Sequence, residues 1–157
     1  MAIVNARVDD RLIHGQVATS WIRGLQVQVI VVVDDRIAQD DTQKSILKMS
    51  APASTKVYAL GVDKFLEKMK QGILDDYQVM LIFDNIAAPL ALVEKGFPLK
   101  TLNLGGIRYK EGRRQISKAL SVSPEEEKMI RRLHELGVEV EHRMLLTDQK
   151  VNVIDLI

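Results

Sequence analysis

Two hydrophobic rhythms alternate along this chain. Ala2 to Val8 is a largely apolar, strand-like run that ends in Asp9-Asp10. After a short polar corner, Val17, Ala18, Trp21, Ile22 and Leu25 recur at helical spacing, and Gly24 marks the expected end of that helix. Val27 to Val33 is β-branched, as suits a central parallel strand covered on both faces, and it ends in Asp34-Asp35. Asp40 or Asp41 can cap a helix carrying Ile46, Leu47 and Met49, which Pro52 closes. Lys56 to Leu60 reads as a strand, and Val62, Phe65, Leu66 and Met69 as the apolar stripe of the next helix. Gln78 to Phe83 is a fourth strand, followed by Asp84-Asn85, where Asn85 can cap a helix with Leu90, Leu92 and Val93. Lys100 to Leu104 is a fifth strand running into Gly105-Gly106, and Ile116 to Val122 reads as a sixth. Ser123-Pro124-Glu125-Glu126 is a strong helix start, with a serine cap, proline in the first turn and glutamate three residues after the cap. Val138 to Leu146 alternates like an edge or half-exposed strand, and the tail from Val151 to Ile157 is expected to dock on the body.

Regular alternation of strand and helix predicts one α/β domain over residues 1–157. The expected architecture is an open, doubly wound, mostly parallel sheet with helices on both faces and the last strands partly antiparallel. The pattern does not specify strand order. In such sheets ligands bind outside the carboxyl ends of strands, at a topological switch point. The segments Asp9–His14, Asp34-Asp35, Asp84-Asn85 and Gly105–Arg114 all fall at those ends and should gather on one edge.

Composition narrows the function. A net charge of +1 supplies no global field for nucleic acid or an anionic membrane, and 4% aromatics gives little for stacking bases. With no cysteine, disulfides and thiolate chemistry are excluded. The start, MAIVNARVDD, lacks a signal peptide's basic and long apolar regions, and no apolar run could span a bilayer. A cytoplasmic protein is expected, reaching a membrane only through partners.

The polar corner, VDDRLIHGQV at Val8–Val17, carries the chemistry. An ordinary imidazole titrates at about 6.5, so its neutral, nucleophilic form is abundant near neutral pH. His14 at the start of a helix can accept a phosphoryl group on one ring nitrogen, with free N–H groups from Gly15 onward to bind the phosphoryl oxygens. Glycine at position 15 lets the backbone approach the anion. Arg11 can add charge-assisted hydrogen bonds of roughly 1.5–3 kcal/mol each. Asp10 can orient Arg11 or the distal ring nitrogen. The plainer reading makes His14 a hydrogen-bonding loop residue.

The spacing DDRLIHGQV resembles the active-site loop of the IIB components of the mannose/fructose/sorbose class of bacterial phosphotransferase systems. The likeness runs nearly end to end, through the strand and acidic pair at Val31–Asp35, KMSAP at Lys48–Pro52, LKTLN at Leu99–Asn103, LGGIRYKEGRRQISKALSVSPEE and HRMLLTDQKVNVIDL. It implies a protein-N-phosphohistidine–sugar phosphotransferase without cofactor or metal. His14 would carry the phosphoryl on Nδ1, with Arg11 contacting it and Gly15-Gln16 helping to hold it. The implied donor is a IIA protein's phosphohistidine, and the acceptor a sugar bound by membrane IIC and IID proteins. Two departures stand out: FDNIAAP after the fourth strand, and Asp34 at the head of the second acidic pair. Gly105-Gly106 leans toward hexose-type over amino-sugar relatives, but the sugar itself is not legible.

Arg108, Lys110, Arg113 and Arg114 (with Lys118) follow the fifth strand, either as a solvated basic loop or as a docking surface for an anionic, phosphorylated donor. His134, near a helix end, and His142, in a strand, have no ligand pattern, and Trp21 and Met129 read as core. Asp34, Asp35 and Asp84 could hold Mg²⁺, but transfer between histidines requires no metal. Two other classes compete. A receiver-like phospho-aspartate module fits Asp9-Asp10 and Lys110, but KVYAL ends in Gly61 where an acceptor aspartate should stand. A nucleotide-binding domain lacks a glycine-rich phosphate fingerprint.

Overall fold

The computed structural model describes residues 2–15 and 17–157. Its strands are β1 (Ala2–Asp9), β2 (Val29–Val33), β3 (Lys56–Leu60), β4 (Gln78–Phe83), β5 (Thr101–Gly106), β6 (Arg114–Ser117), β7 (Leu120–Val122), β8 (Glu139–His142) and β9 (Val151–Asn152). The α-helices are α1 (Asp41–Ser50), α2 (Val62–Lys70), α3 (Ala87–Glu94) and α4 (Pro124–Glu135). The main sheet has the order β3-β2-β4-β1-β5-β8-β9, parallel throughout except for the β8–β9 pair.

All five side chains of β2 are buried because the sheet is covered on both sides. Val29, Val31 and Val33 belong to the core on one face, which also holds Phe65 of α2, Leu92 of α3 and Ile130 and Leu133 of α4. Ile30 and Val32 pack on the other face with Leu47 of α1 and with Trp21 and Ile22. Each such side chain is worth roughly 1.5–3 kcal/mol of burial. The expected doubly wound sheet is therefore present, and the structure adds its order. The chain leaves β1 for β2 and β3, returns to β4 beside β1, then crosses to β5 on the far side of β1. That reversal makes β1 the switch point, and its carboxyl end carries the polar corner.

Three expectations change. The helix after His14 is a π-helical segment, Val17–Ile22. The chain leaves it through Gln26 at φ 53°, with Val27 N–H bonded to the Ile22 carbonyl. The helical segment ends at Gly24 as expected, and Gly24 also leaves room for Leu146, which a side chain there would strike. The sixth strand is a hairpin: Lys118-Ala119 turns the chain, and β6 and β7 form a separate antiparallel pair. Finally, β8 is no edge strand. It lies parallel to β5 and is covered by β9, and Val140, Glu141 and His142 are buried. Its apparent alternation arose because Glu141 is buried by ion pairing, a fate that polarity alone conceals.

Ser123 caps α4 as expected, with the reciprocal capping box to Glu126 present. Asn85 accepts from Ala88 N–H (3.0 Å) at the start of α3. The acidic pair after β2 serves the backbone too. Asp34 accepts from Arg36 and Ile37 N–H (2.9 and 3.0 Å), and Asp35 accepts from Val62 N–H at the start of α2 (2.9 Å).

Candidate active site

At the end of β1 the backbone turns sharply. Leu12 N–H bonds to the Asp9 carbonyl (2.9 Å), and Leu12 itself sits at φ 57°, a region that leucine enters only at a cost of about 1–2 kcal/mol. Burial of the Leu12 and Ile13 side chains in the core offsets that strain. The turn thereby lifts Arg11 and His14 off the sheet edge while anchoring the two residues between them. Ala18 N–H donates to the His14 carbonyl (2.8 Å), leaving the amides of Gly15 and Val17 at the open end of the helical turn. A side chain at Gly15 would meet open space, so packing within the chain imposes no need for glycine there. Gln16 lies outside the described residues.

His14 is 17% exposed, and its Nε2 lies 3.0 Å from Oδ2 of Asp9. Asp9 is 1% exposed, and its other oxygen accepts from Arg11 N–H (3.0 Å). The partner of the ring nitrogen is therefore Asp9 and not Asp10. Asp10 instead accepts from the backbone N–H (2.8 Å) and Nε (3.2 Å) of Arg108, tying the corner to the loop after β5. The period of β1 explains the difference, since Asp9 points to the same face as Asn5 and Arg7 while Asp10 has already left the strand.

Behind Asp9 stands Arg7, 1% exposed. One guanidinium nitrogen donates to Asp9 Oδ2 (3.0 Å) and the Met144 carbonyl (3.3 Å), the other to Asn103 Oδ1 (2.7 Å) and the Arg143 carbonyl (3.1 Å). Burial pulls the Arg7 guanidinium down from its ordinary value, and the Asp9 charge and hydrogen bond oppose that pull. The guanidiniums of Arg7 and Arg143 each lie over the Trp21 ring, 5.0 Å from its centre, and the Trp21 Nε1 donates to the Met144 carbonyl (2.9 Å). Arg143 is in turn paired with the buried Glu141 (2.9 Å). Gly105 completes the arrangement, because the space for its side chain is filled by the Arg7 guanidinium. Gly105→Ala is expected to lose about 1–3 kcal/mol of stability through overpacking, read as a fall of roughly 3–10 °C in Tm.

Arg11 is exposed, and its guanidinium makes no hydrogen bond or ion pair among the described residues. It borders a cleft of about 340 Å³ lined also by Asp10, Gly106, Tyr109, Lys118 and Ser121. A larger cleft of about 570 Å³, lined by Asn5, Phe97, Lys100 and Glu141, lies over the amino-terminal half of β1, away from His14. The basic loop divides. Arg113 is held by both Glu126 oxygens (2.9 and 3.2 Å) and donates to the Arg108 carbonyl (2.8 Å), and Arg114 pairs with Glu127 (2.7 Å). Their charges serve the start of α4. Lys110 and Lys118 have no ion-pair partner among the described residues, so the unpaired positive charge lining the cleft is that of Lys118 and Arg11, with Lys110 following the lining residue Tyr109 in the chain. Asp84 pairs with Arg36 (3.3 Å), and His142 uses Nδ1 on the Leu104 carbonyl (2.6 Å), so both are structural.

Arg7, Asn103, Glu141 and Arg143 were not picked out from the sequence, and Asp9 stood there only as a member of the acidic pair, not as the partner of the imidazole. The available signal was the arginine in the apolar strand AIVNARV and the asparagine in TLNLGG, polar groups where the pattern calls for apolar ones.

An imidazole held through one nitrogen by a buried carboxylate, beside an arginine with no partner among the described residues and the start of a helical turn, has the chemistry to receive an anionic group. The family model described as "PTS system sorbose subfamily IIB component" matches residues 3–157, and the chain belongs to that family of phosphotransferases. It is 38% identical over 157 residues to the fructose-specific EIIB component of Bacillus subtilis, covering 100% of this chain and 96% of that one. It is 36% identical to the mannose-specific EIIAB component of Escherichia coli, of which it covers 49%. The crystal structure of the IIB domain of the sorbose permease of Klebsiella pneumoniae superimposes with a TM-score of 0.93 at 34% identity, covering 99% of this chain and 96% of that one. Nothing in these likenesses supports the receiver-like reading.

Proposed function

We propose that His14 is the phosphoryl carrier and Nδ1 its reactive atom. The observation that carries this is the 3.0 Å contact between Nε2 and the buried Asp9 carboxylate. A carboxylate only accepts, so Nε2 holds the proton, and the lone pair is left on Nδ1. That lone pair attacks the phosphorus of a donor phosphohistidine. The Nδ1–P bond forms as the donor's N–P bond breaks, and the electron pair returns to the donor ring. The His14 ring gains positive charge in this step, and Asp9 faces the N–H that bears it. In the second step a sugar hydroxyl attacks phosphorus, the Nδ1–P electrons return to His14, and the hydroxyl proton leaves to solvent or an acceptor-side base. Such transfers need positioning and charge neutralisation more than covalent help.

Arg11 and the amides of Gly15 and Val17 neutralise and orient the phosphoryl oxygens, joined by Gln16 in the family's pattern. The donor is a IIA phosphohistidine, a reading supported by the EIIAB relative. The acceptor is a sugar of the hexose type held by IIC and IID membrane proteins, which are the only route to the membrane, and the protein itself is cytoplasmic. Among the described residues no helix is long and apolar enough to cross a bilayer. No cofactor enters these steps, and one domain spanning 1–157 carries them all.

The test is label transfer from phosphorylated IIA to this chain, then to sugar in membranes containing IIC and IID. Label that reaches the chain but never a sugar would defeat the acceptor half of the reading. Arg11→Ala should slow single-turnover transfer about 10- to 100-fold without stopping it, since one charge-assisted hydrogen bond or two is lost while the amides remain. Docking is a surface matter. Lys110→Glu with Lys118→Glu should raise the KM for the phosphodonor several-fold and flatten its salt dependence, leaving the maximal rate alone. Arg108 shares that role, whereas neutralising Arg113 or Arg114 should act on the stability of α4.

A further inference from the structure

An arginine with 1% exposure in the middle of a sheet is costly, and a methionine would fill the same space with no charge to desolvate. Arg7 reaches neither solvent nor the place where a phosphoryl group would sit. What it contributes that a methionine could not is charge and direction, and both are aimed at Asp9. Oδ2 of Asp9 is shared, 3.0 Å from the Arg7 guanidinium on one side and 3.0 Å from His14 Nε2 on the other.

We propose that Arg7 is the positioning residue that sets His14 for transfer, by holding Asp9 as a carboxylate whose charge is already balanced. The inference rests on His14 being the carrier and adds how its reactive nitrogen is chosen. Without Arg7, Asp9 would be a buried carboxylate with no cation to balance it, keeping only the Arg11 N–H and the imidazole as partners. The pair would then relieve its charge by taking up a proton. If the proton goes to Nδ1, the ring is an imidazolium and has no lone pair to attack phosphorus. If it goes to Asp9, the carboxyl becomes a donor as well as an acceptor and no longer fixes the tautomer. With Arg7 present, the charge is balanced without that proton, and Nδ1 stays unprotonated.

The surrounding residues are built to keep the guanidinium in one place. Asn103 from β5 and the carbonyls of Arg143 and Met144 after β8 accept three of its hydrogen bonds. Trp21 covers one face of it, and Gly105 makes room for it. The Glu141–Arg143 pair fixes the segment that supplies the two carbonyls, since Arg143 also donates to the Leu146 carbonyl (3.2 Å). Strands β1, β5 and β8 thus each contribute to the setting of one ring nitrogen.

The test uses ¹⁵N NMR of the full chain labelled at histidine, without phosphate, together with transfer kinetics from phosphorylated IIA. In the wild type His14 should show one protonated nitrogen and one pyridine-type nitrogen. Arg7→Met should replace that pattern by an imidazolium or an averaged one and slow transfer on the order of 10- to 100-fold, the usual effect of removing a group that orients a reactive one. The KM for the donor should not move. Arg7→Lys, which keeps the charge, should recover part of both signals. Fluorescence of Trp21, the only tryptophan, reports whether each variant is folded. If Arg7→Met does not fold, Asn103→Ser loosens the guanidinium while keeping its charge, and a smaller change of the same kind is expected. A folded variant with the wild-type nitrogen pattern and rate overturns the proposal. If instead the wild-type chain takes no label on His14, the carrier reading fails, and the NMR pattern still decides the role of Arg7.

Discussion

His14→Ala should take up no phosphoryl group from a phosphorylated donor while melting within about 2 °C of the parent chain. Loss of acceptance is expected to be complete because no other imidazole can substitute. His142 is buried with Nδ1 on the Leu104 carbonyl, and His134 lies on the exposed end of α4. Stability should hold because the ring sits in a loop at the sheet edge and packs no core. Its removal leaves Asp9 with two of its partners, Arg7 and the Arg11 N–H, so no buried charge is stranded. The check is a gel or mass-spectrometric assay of labelled protein beside a thermal melt. Label on the folded variant would place the carrier elsewhere.

Asp9→Asn should have the second-largest effect, and it should fall on both rate and stability. The carboxamide fits the same space but carries no charge, so Arg7 loses its counter-ion in a buried setting, a loss of about 3–5 kcal/mol when one member of such a pair is removed. The ring loses its fixed tautomer as well, because an amide can either accept from Nε2–H or donate to Nε2. A fall in transfer rate on the order of 100- to 10,000-fold is expected, the range for groups that orient a reacting histidine. Single-turnover kinetics and a denaturant melt measure the two parts separately. A rate near wild type in a folded Asp9→Asn protein would show that Asp9 only supports the fold.

The contrast between Asp9 and Asp10 shows where legibility in the sequence ended. The corner itself was plain, because a strand, two acids, an arginine and a histidine before a helix leave few chemical options. Which acid meets the ring depended on where β1 stops and which way its last residue points, a matter of a single residue that periodicity does not resolve. The doubly wound sheet was legible from β2 and β4, whose apolar runs require cover on both faces. The hairpin at β6–β7 was not, because Ile116–Val122 carries enough β-branched and apolar residues to read as one strand, and only the turn at Lys118-Ala119 divides it. β8 misled for a different reason. Its charged Glu141 suggested solvent, yet Arg143 and the nearby Arg7 supply the positive charge that lets it be buried. The basic loop hid a similar exchange, with Arg113 and Arg114 consumed by the glutamates that start α4. The Arg7–Asp9 and Glu141–Arg143 pairs join residues only two apart, but their burial depends on the strands packed around them, which neither spacing nor composition records.

The central claim is that one nitrogen of one histidine carries the phosphoryl group. It is tested most directly by phosphorylating the ¹⁵N-histidine-labelled chain with phosphorylated IIA and recording the nitrogen–phosphorus coupling. A single phosphorylated nitrogen is expected, Nδ1 of His14, with Nε2 still bearing its proton toward Asp9, and the label should be lost in acid and kept in base. Phosphate on Nε2 of His14, on another residue, or in a base-labile acyl linkage would contradict it.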